Sequence, residues 1–447
     1  MNPTLSPTAF LVSSAIKVMA VFSVTMVVVA MMTLLERRVS AFIQDRLGPN
    51  RVGPFGLLQP IADGIKNILK EETSPATASR WFFILGPMLS IMPALVTFAV
   101  IPFAAPLPTP WGVVDMIVAD IPIGILYVLA LSSLGVFGIF LGGWASNNKY
   151  AFLGSLRSSA QLVSYEVALG LSIIPVLMLA GNVTLTEIVW QQQQLGLWFA
   201  FPLSLAFLLF VISAFAETNR LPFDMPEAES ELVTGYHTEY SSMKFSMFFI
   251  AEYSHMLTAA ALMATLFLGG WDIPFWNGAN AFWHEGVLIS GFTAAGAPVA
   301  AEPAVWKTLL TFLSFAIKTF FFVVLFIWVR WTLPRFRYDQ VMHLGWKVML
   351  PVSLAYVMLI ALTVLTLDEL GVPYGFLYGL VLTAVSLLCT IAFVFYIDRD
   401  RIIAGASISS RAPARRATHG VAGPTRTPGI PQDGSPAATG AGAGTSR

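Results

Sequence analysis

ETNRLPFDMPEAESELVTGYHTEYSSMKFSMFFIAE, residues 217–252, joins two strongly apolar segments and decides how the chain is read. It gathers seven carboxylates, Glu217, Asp224, Glu227, Glu229, Glu231, Glu239 and Glu252, against two fixed cations, Arg220 and Lys244. Elsewhere charge is scarce: 11% of the residues are Asp, Glu, Lys or Arg and 56% are hydrophobic. Glu217 closes one apolar run and Glu252 falls inside the next, so the acids reach from a connection into the helices on either side of it.

Working outward, the 447 residues include 34 Phe, the mean hydropathy is +0.73, and apolar runs exceed the roughly 20 residues that cross a bilayer. The chain reads as an all-α polytopic membrane protein with about nine spans, eight being the alternative: 11–35, 82–104, 119–141, 159–180, 197–216, 245–269, 307–329, 347–367 and 374–397. The first 20 residues lack the basic region of a secretory signal, so 11–35 reads as a retained span. Lys and Arg concentrate in the connections after spans 1, 3, 5 and 7 and in the C-terminal tail. The positive-inside rule then puts the N-terminus outside and both the acidic connection and the C-terminus in the cytoplasm. With 25 basic and 25 acidic residues the chain offers no charge excess to a nucleic acid. Its single cysteine, Cys389, cannot hold an iron–sulfur cluster or a cysteine zinc site, so such centres belong to partners. Neither a GxGxxG fingerprint nor a P-loop is present.

The connection after span 1 begins Glu36-Arg37-Arg38 and turns at Gly48-Pro49 and Gly53-Pro54. In 56–70, Leu57, Leu58, Ile61, Ile65, Ile68 and Leu69 recur at helical spacing, with Asp63, Lys66, Asn67 and Lys70 opposite, which predicts an amphipathic helix at the membrane surface. Arg37 and Arg38 read as snorkelling cations, and Glu36 as an acid able to form a fixed ion pair. Glu166 lies about two turns into span 4, where an ionisable group faces a partner or a cavity rather than lipid. The connection at 270–306, rich in Gly, Ala and Trp, is assigned no chemistry. Arg330, Arg335 and Arg337 share a side with the acidic stretch, and the tail at 401–447 has the composition of a disordered segment.

Three accounts of the acids compete. Asp224-Met225-Pro226-Glu227 resembles a capping box with proline in the first turn, which Glu229 and Glu231 would complement. A solvated acidic face is the second account. Neither covers Glu217, or Glu252 about seven residues into span 6, roughly 10 Å along a helix. The third is a chain of proton-exchanging groups, because neighbouring buried carboxylates raise one another's pKa.

ERRVSAFIQDRLGPNRVGPFGLLQPIADGIK from Glu36, GWASNNKYAFLGSLRSSAQLVSYEVALG from Gly143 and FAETNRLPFDMPEAESELVTGYHTEYSSMKF from Phe215 resemble the hallmark stretches of one family. It is the quinone-site membrane subunit family of respiratory complex I, whose mitochondrial members are called NADH dehydrogenase subunit 1. The likeness covers roughly residues 10–400. It departs from the pattern at GYHTEY, where many members carry Asn-Val for His237-Thr238, and in the long tail. The resemblance implies a subunit of a proton-pumping NADH:quinone oxidoreductase of the bacterial inner membrane, not catalytic alone. Its expected partners are soluble iron–sulfur subunits, a flavoprotein, small membrane subunits and antiporter-like subunits, with a quinone, ubiquinone or menaquinone, as substrate and no cofactor held by this chain itself. It further implies that Glu36, Arg37, Arg46, Asp63, Lys66, Asp224, Glu227, Glu229 and Glu231 line a quinone chamber, and that Glu166, Glu217, Glu239 and Glu252 begin a proton relay.

Two other classes stay open on the sequence. The homologous subunit of a membrane-bound hydrogenase or another donor-dehydrogenase shares the scaffold. A stand-alone cation or proton transporter also buries carboxylates, but it is expected to show internal repeats and interrupted helices, and no repeat is visible here.

Overall fold

In lipid the backbone must satisfy its own hydrogen bonds, so long apolar runs fold as helices, and their neighbours decide which faces are covered. The computed structural model describes residues 6–225, 233–274, 276, 281–284, 287–292 and 298–399. Among them lie α1 (Pro7–Ile43), α2 (Gln59–Leu69), α3 (Arg80–Val96, drawn out by a 3₁₀ turn to Val100), α4 (Gly124–Ala145), α5 (Lys149–Ala180), α6 (Leu185–Leu195), α7 (Ser204–Glu217), α8 (Ser242–Phe267), α9 (Val305–Thr332), α10 (Tyr338–Glu369, with a π turn at Leu344–Met349) and α11 (Phe376–Arg399). Their ends follow ordinary capping rules. Ser6 accepts from the Ala9 N–H with Pro7 opening α1, Asn148 accepts from the Tyr150 N–H to start α5, and Gly181 ends α5 at φ +65°. The β content is a short hairpin, β1 (Leu107–Thr109) with β2 (Gly112–Val114), and an antiparallel trio, β3 (Phe282–His284), β4 (Val287–Phe292) and β5 (Pro298–Ala300). The chain is an all-α polytopic protein.

Eight helices are long and apolar enough to cross a membrane: α1, α3, α4, α5, α8, α9, α10 and α11. The ninth expected span, 197–216, contributes only the 14-residue α7, about 21 Å of rise. Hydrogen bonds nonetheless thread it from one end of the bundle toward the other. At its start, Ala200 N–H donates to Phe267 O (2.8 Å) at the finish of α8, and the hydroxyls of Ser204 in α7 and Thr390 in α11 lie 2.9 Å apart. After Glu217 the crossing continues without helix, and Thr218, Asn219, Arg220, Phe223, Asp224 and Met225 are all buried. Irregular backbone is tolerated at such depth only when protein encloses it.

Similar bonds among the described residues gather the connections at two ends. At the near end, Ser79 N–H donates to Ala145 O (3.2 Å), Asn148 meets Glu239, and Ser242 Oγ donates to Asn67 O (2.8 Å). At the far end, Lys17 Nζ donates to Ile117 O (2.7 Å), Thr308 Oγ1 to Pro106 O (3.0 Å), Ile125 N–H to Val183 O (3.4 Å) and Tyr374 Oη to Gln191 O (3.4 Å). The nine elements therefore alternate in direction, α7 completing its pass with the buried segment.

α5 and α8 form the centre, with 56% and 67% of their most apolar stretches buried, against 22% for α1 and 17% for α11 at the periphery. Close approach of α3 and α4 depends on glycine: a Cβ on Gly86 would stand 3.0 Å from Gly142 Cα, and one on Gly138 would stand 2.4 Å from Ser90 Oγ. The expected bounds shift where local chemistry overrides hydropathy. α4 begins at Gly124, just past Pro122, instead of near 119, and α5 begins ten residues earlier than expected, at its Asn148 cap. The surface helix is Gln59–Leu69, preceded by a 3₁₀ turn at Pro54–Gly56, and no residue of it is buried. The expectation for the tail, 401–447, lies outside the described residues.

Candidate functional site

The site starts where α7 stops. Gln161, fully buried on α5, donates from Nε2 to Ala216 O (2.7 Å) and to Phe223 O (2.8 Å), clamping both ends of the turn that follows Glu217. That turn carries Arg220 inward to 4% exposure, where its Nη1 lies 3.2 Å from Glu36 Oε2. Glu36, 6% exposed in α1, also pairs through Oε1 with Nη1 of Arg330 in α9, and Tyr253 of α8 donates its hydroxyl to Oε2 (2.6 Å). The Arg220 guanidinium stacks 4.2 Å from the Tyr253 ring centroid. Two guanidiniums share the Glu36 carboxylate, and Glu252 brings a second negative charge to bear on Arg220. Arg220 Nε and Nη2 find no acceptor among the described residues. Burying such charges is costly, and removing one partner of a buried pair costs about 3–5 kcal/mol, so the cluster is held by three separate helices and a clamped turn rather than by local propensity.

Beside it lies a small cavity of about 40 Å³. Glu166, Glu217, Glu252 and His255 line it together with Ser90 and Ser132. Ser132 hydrogen-bonds Glu217, Glu166 is near enough to act on Glu217 through its charge, and Glu252 acts in the same way on Arg220. Thus the carboxylates are electrostatically continuous with the Glu36 cluster. A second small cavity of about 30 Å³ shares Ser132, Glu217, Thr218 and His255 with the first and runs on past Thr258 and Thr97 to Ile125 and Leu266. Such a row of acids in low-dielectric surroundings can exchange protons with one another and respond to charge at one end.

The expected site residues are thereby divided. Glu166, Glu217 and Glu252 share one cavity, whereas Glu239 stands apart, accepting from Asn148 Nδ2 at 2.7 Å. Glu166 lies 17 residues after Lys149, about 25 Å along α5 rather than two turns in, because the helix starts earlier than hydropathy indicates. Glu252 lies ten residues after Ser242, about 15 Å along α8. Glu36 is not paired with the arginines that follow it. Arg37 turns to Asp63 of α2 (2.7 Å), which also meets Lys66 (3.8 Å) and accepts from Gln59 Nε2 (3.1 Å), joining the surface helix to α1. Arg46 is exposed and donates to Gln44 Oε1 (2.7 Å). Asp224 pairs with Arg335 (2.7 Å), a salt bridge that gives this buried acid a role other than capping. The capping box it was expected to form with Glu227, and the chamber positions of Glu227, Glu229 and Glu231, lie outside the described residues. His237 sits edge-on to Tyr236 and Phe245; burial pushes its pKa down to about 4, with the Asp224 charge pulling the other way, so it is neutral near pH 7.

Tyr253, His255, Ser132 and Gln161 were not singled out by the sequence. His255 carried a usable signal, an ionisable group three residues beyond Glu252 within an apolar span. The others are polar residues of ordinary type whose role exists only through contacts distant in sequence. Among the described residues no cluster of His, Cys, Asp or Glu is arranged to hold a metal ion.

The fold and the site define a multi-pass membrane protein with an ionic cluster at one end and a carboxylate-lined cavity beside it. Comparison with known proteins narrows this. Residues 16–361 match the family model described as NADH dehydrogenase. The chain is 48% identical over 342 residues to an NADH-quinone oxidoreductase subunit of Geobacter metallireducens, covering 76% of this chain and 93% of that one. It is 49% identical over 352 residues to NADH-ubiquinone oxidoreductase chain 1 of Chondrus crispus (79% and 97% covered), and 50% identical over 333 residues to NADH-quinone oxidoreductase subunit 8 of Rhodothermus marinus (74% and 90%). The chain belongs to this family of NADH-quinone oxidoreductase membrane subunits.

Proposed function

We propose that this chain forms the membrane wall of a quinone chamber, together with soluble iron–sulfur subunits, and that it passes the protonation change of quinone reduction into the membrane. Reducing a quinone to a quinol takes two electrons and two protons. The electrons come from a partner's cluster, since the single cysteine of this chain cannot hold one. The carrying observation is the buried Glu36 cluster with its two arginines, in electrostatic contact through Glu252 with the cavity of Glu217 and Glu166. The two guanidiniums attract negative charge that arrives on the quinone head, and a change of charge there alters the proton affinity of the adjoining acids. α2 and the Arg37–Asp63 pair would flank the way in for the isoprenoid tail, with the exposed Leu57, Ile61, Ile65 and Ile68 facing lipid or tail. In this reading the near end of the bundle faces the cytoplasm, with further membrane subunits beside it to receive the proton change.

Glu217→Gln tests the relay in the purified complex. The expected result is a complex that retains all its subunits, with proton pumping per quinone reduced falling at least about tenfold, the scale of losing one proton-transfer group. Unchanged assembly, quinone reduction and pumping would remove Glu217 from the path.

A further inference from the structure

A thin layer of packed residues separates the carboxylate cavity from the far end of the bundle. On the inner side is the second small cavity, which begins at Glu217 and His255 and reaches Ile125 and Leu266. Its volume of about 30 Å³ has room for a water molecule, and Thr258, which lines it, holds a hydroxyl without a partner among the described residues. On the outer side is a cavity of about 250 Å³, lined by Pro102, Thr184, Trp271 and the exposed Asp120. The two come close along three parts of the chain. Thr97 lines the inner and Pro102 the outer; Ile125 of the inner donates its N–H to Val183 O (3.4 Å), next to Thr184 of the outer; and where α8 finishes, Leu266 lines the inner and Trp271 the outer.

Lys318 stands in this layer. It lies 13 residues after Val305, about 20 Å along α9, and is 9% exposed. Its ammonium donates to Leu268 O (2.6 Å), Gly270 O (3.1 Å) and Asp272 O (2.5 Å), the carbonyls just past the finish of α8 and on either side of Trp271. It also sits 4.5 Å from the Trp198 ring centroid. Three donors meet three acceptors, so the ammonium is fully used. The Asp272 carboxylate is taken up as well, accepting from Trp198 Nε1 (3.1 Å) and Gln193 Nε2 (3.3 Å), and its charge acts on Lys318. The layer thus holds a pair of opposite charges, each hydrogen-bonded to protein groups.

A cation at a helix C-terminus offsets the helix dipole, but a basic residue at the surface can do that, and burying a lysine within a span is costly. What the burial secures is a dry layer. Without the ammonium, three carbonyls and a carboxylate would lose their cation between two cavities, and buried polar groups left without partners draw in water. Water there would join the inner cavity to the outer one. We propose that Lys318 seals the carboxylate cavity: by filling the carbonyls at the end of α8, it keeps protons that reach Glu217 from running through to the far side, so that they pass sideways to neighbouring subunits. The inference rests on the reading of that cavity as proton-carrying, and it adds the residue that closes one of its two outlets.

The test uses the intact purified complex in liposomes holding a pH dye, with a potassium diffusion potential to drive protons and neither NADH nor quinone present. Because nothing turns over, the result stands apart from whether Glu217→Gln alters pumping. Lys318→Met should keep all subunits and reduce quinone as the wild type does when uncoupled, yet raise passive proton entry at least about tenfold, the scale of freeing one buried carbonyl to water. Lys318→Gln, which keeps N–H donors but loses the charge and reaches less far, should leak as well, and it carries the test if the first variant does not assemble. Thr258→Leu, which fills the inner cavity, should be tight alone and should return either leak to the wild-type level. Assembled Lys318 variants as tight as the wild type overturn the proposal, and Lys318 is then a helix cap only. A leak that Thr258→Leu leaves unchanged overturns it too, since the protons then cross elsewhere.

Discussion

At the scale of single residues, Glu36 shows how far a sequence can point and where it stops. Its position at the end of an apolar run, next to cations, marks it as part of an ion pair, and that much is legible. The partners are not: Arg220 is 184 residues away and Arg330 is 294, and the neighbouring Arg37 bonds Asp63 instead. Helical geometry explains the exchange, because consecutive residues point about 100° apart, and Glu36 faces the core while Arg37 faces α2. The same geometry yields a test by charge balance. Glu36→Gln leaves two guanidiniums without their anion, and a buried uncompensated charge costs several kcal/mol. Adding Arg330→Met, which removes one of those charges from the more accessible partner, should recover part of the loss. The yield of assembled complex and its melting temperature should both fall for Glu36→Gln and rise again in the double variant. If the double variant is as unstable as the sum of the two single changes, the three side chains do not act as one network.

At the scale of elements, the informative part is the join between α7 and the buried turn after it. Hydropathy finds an apolar run at 197–216 and reads a full span, since it cannot distinguish a helix from a turn enclosed by protein. The helix is shorter because residues 199–203 form turns, and the crossing is completed by the largely buried Thr218–Met225, where Phe223 O accepts from Gln161 and Pro222 O from the Phe336 N–H. Gln161 is the principal one, with two carbonyls on a single Nε2. Its type and its place in SSAQLVSYE gave no warning, because an amide in a span is a local observation and the turn it clamps is 55 residues or more away. Gln161→Leu keeps the volume nearly unchanged and leaves two buried carbonyls without that donor, at roughly 1–3 kcal/mol each. The turn carrying Arg220 should loosen, so proteolysis or hydrogen exchange at 218–225 should quicken at least about tenfold, while exchange in α3 and α4 stays as it is. An even change over the whole chain would show that Gln161 serves general packing and not this turn.

At the scale of the whole molecule, an odd number of crossings would put the start of α1 and the finish of α11 on opposite sides of the membrane. The distribution of Lys and Arg predicts that arrangement from the sequence, and the far-end bonds from Lys17, Thr308, Ile125 and Tyr374 and the near-end bonds of Ser79, Asn148 and Ser242 gather the described connections into two groups. What hydropathy left open was whether the short α7 reverses the chain or passes through, that is, eight crossings or nine. Eight would return both termini to one side and would put α8 to α11 upside down relative to α1 to α5. The hydrogen bond from Ala200 to Phe267 decides for nine, because it sets the start of α7 beside the finish of α8. In a Cys389→Ser background, Asn182→Cys and Gly371→Cys are both exposed positions at the far end, one before α7 and one after it, and Lys149→Cys is exposed at the near end. A membrane-impermeant thiol reagent should label Asn182→Cys and Gly371→Cys alike in intact cells, and Lys149→Cys only after permeabilisation. Opposite behaviour of Asn182→Cys and Gly371→Cys would mean that α7 turns back, and the buried ionic cluster could not then join helices from both halves of the chain.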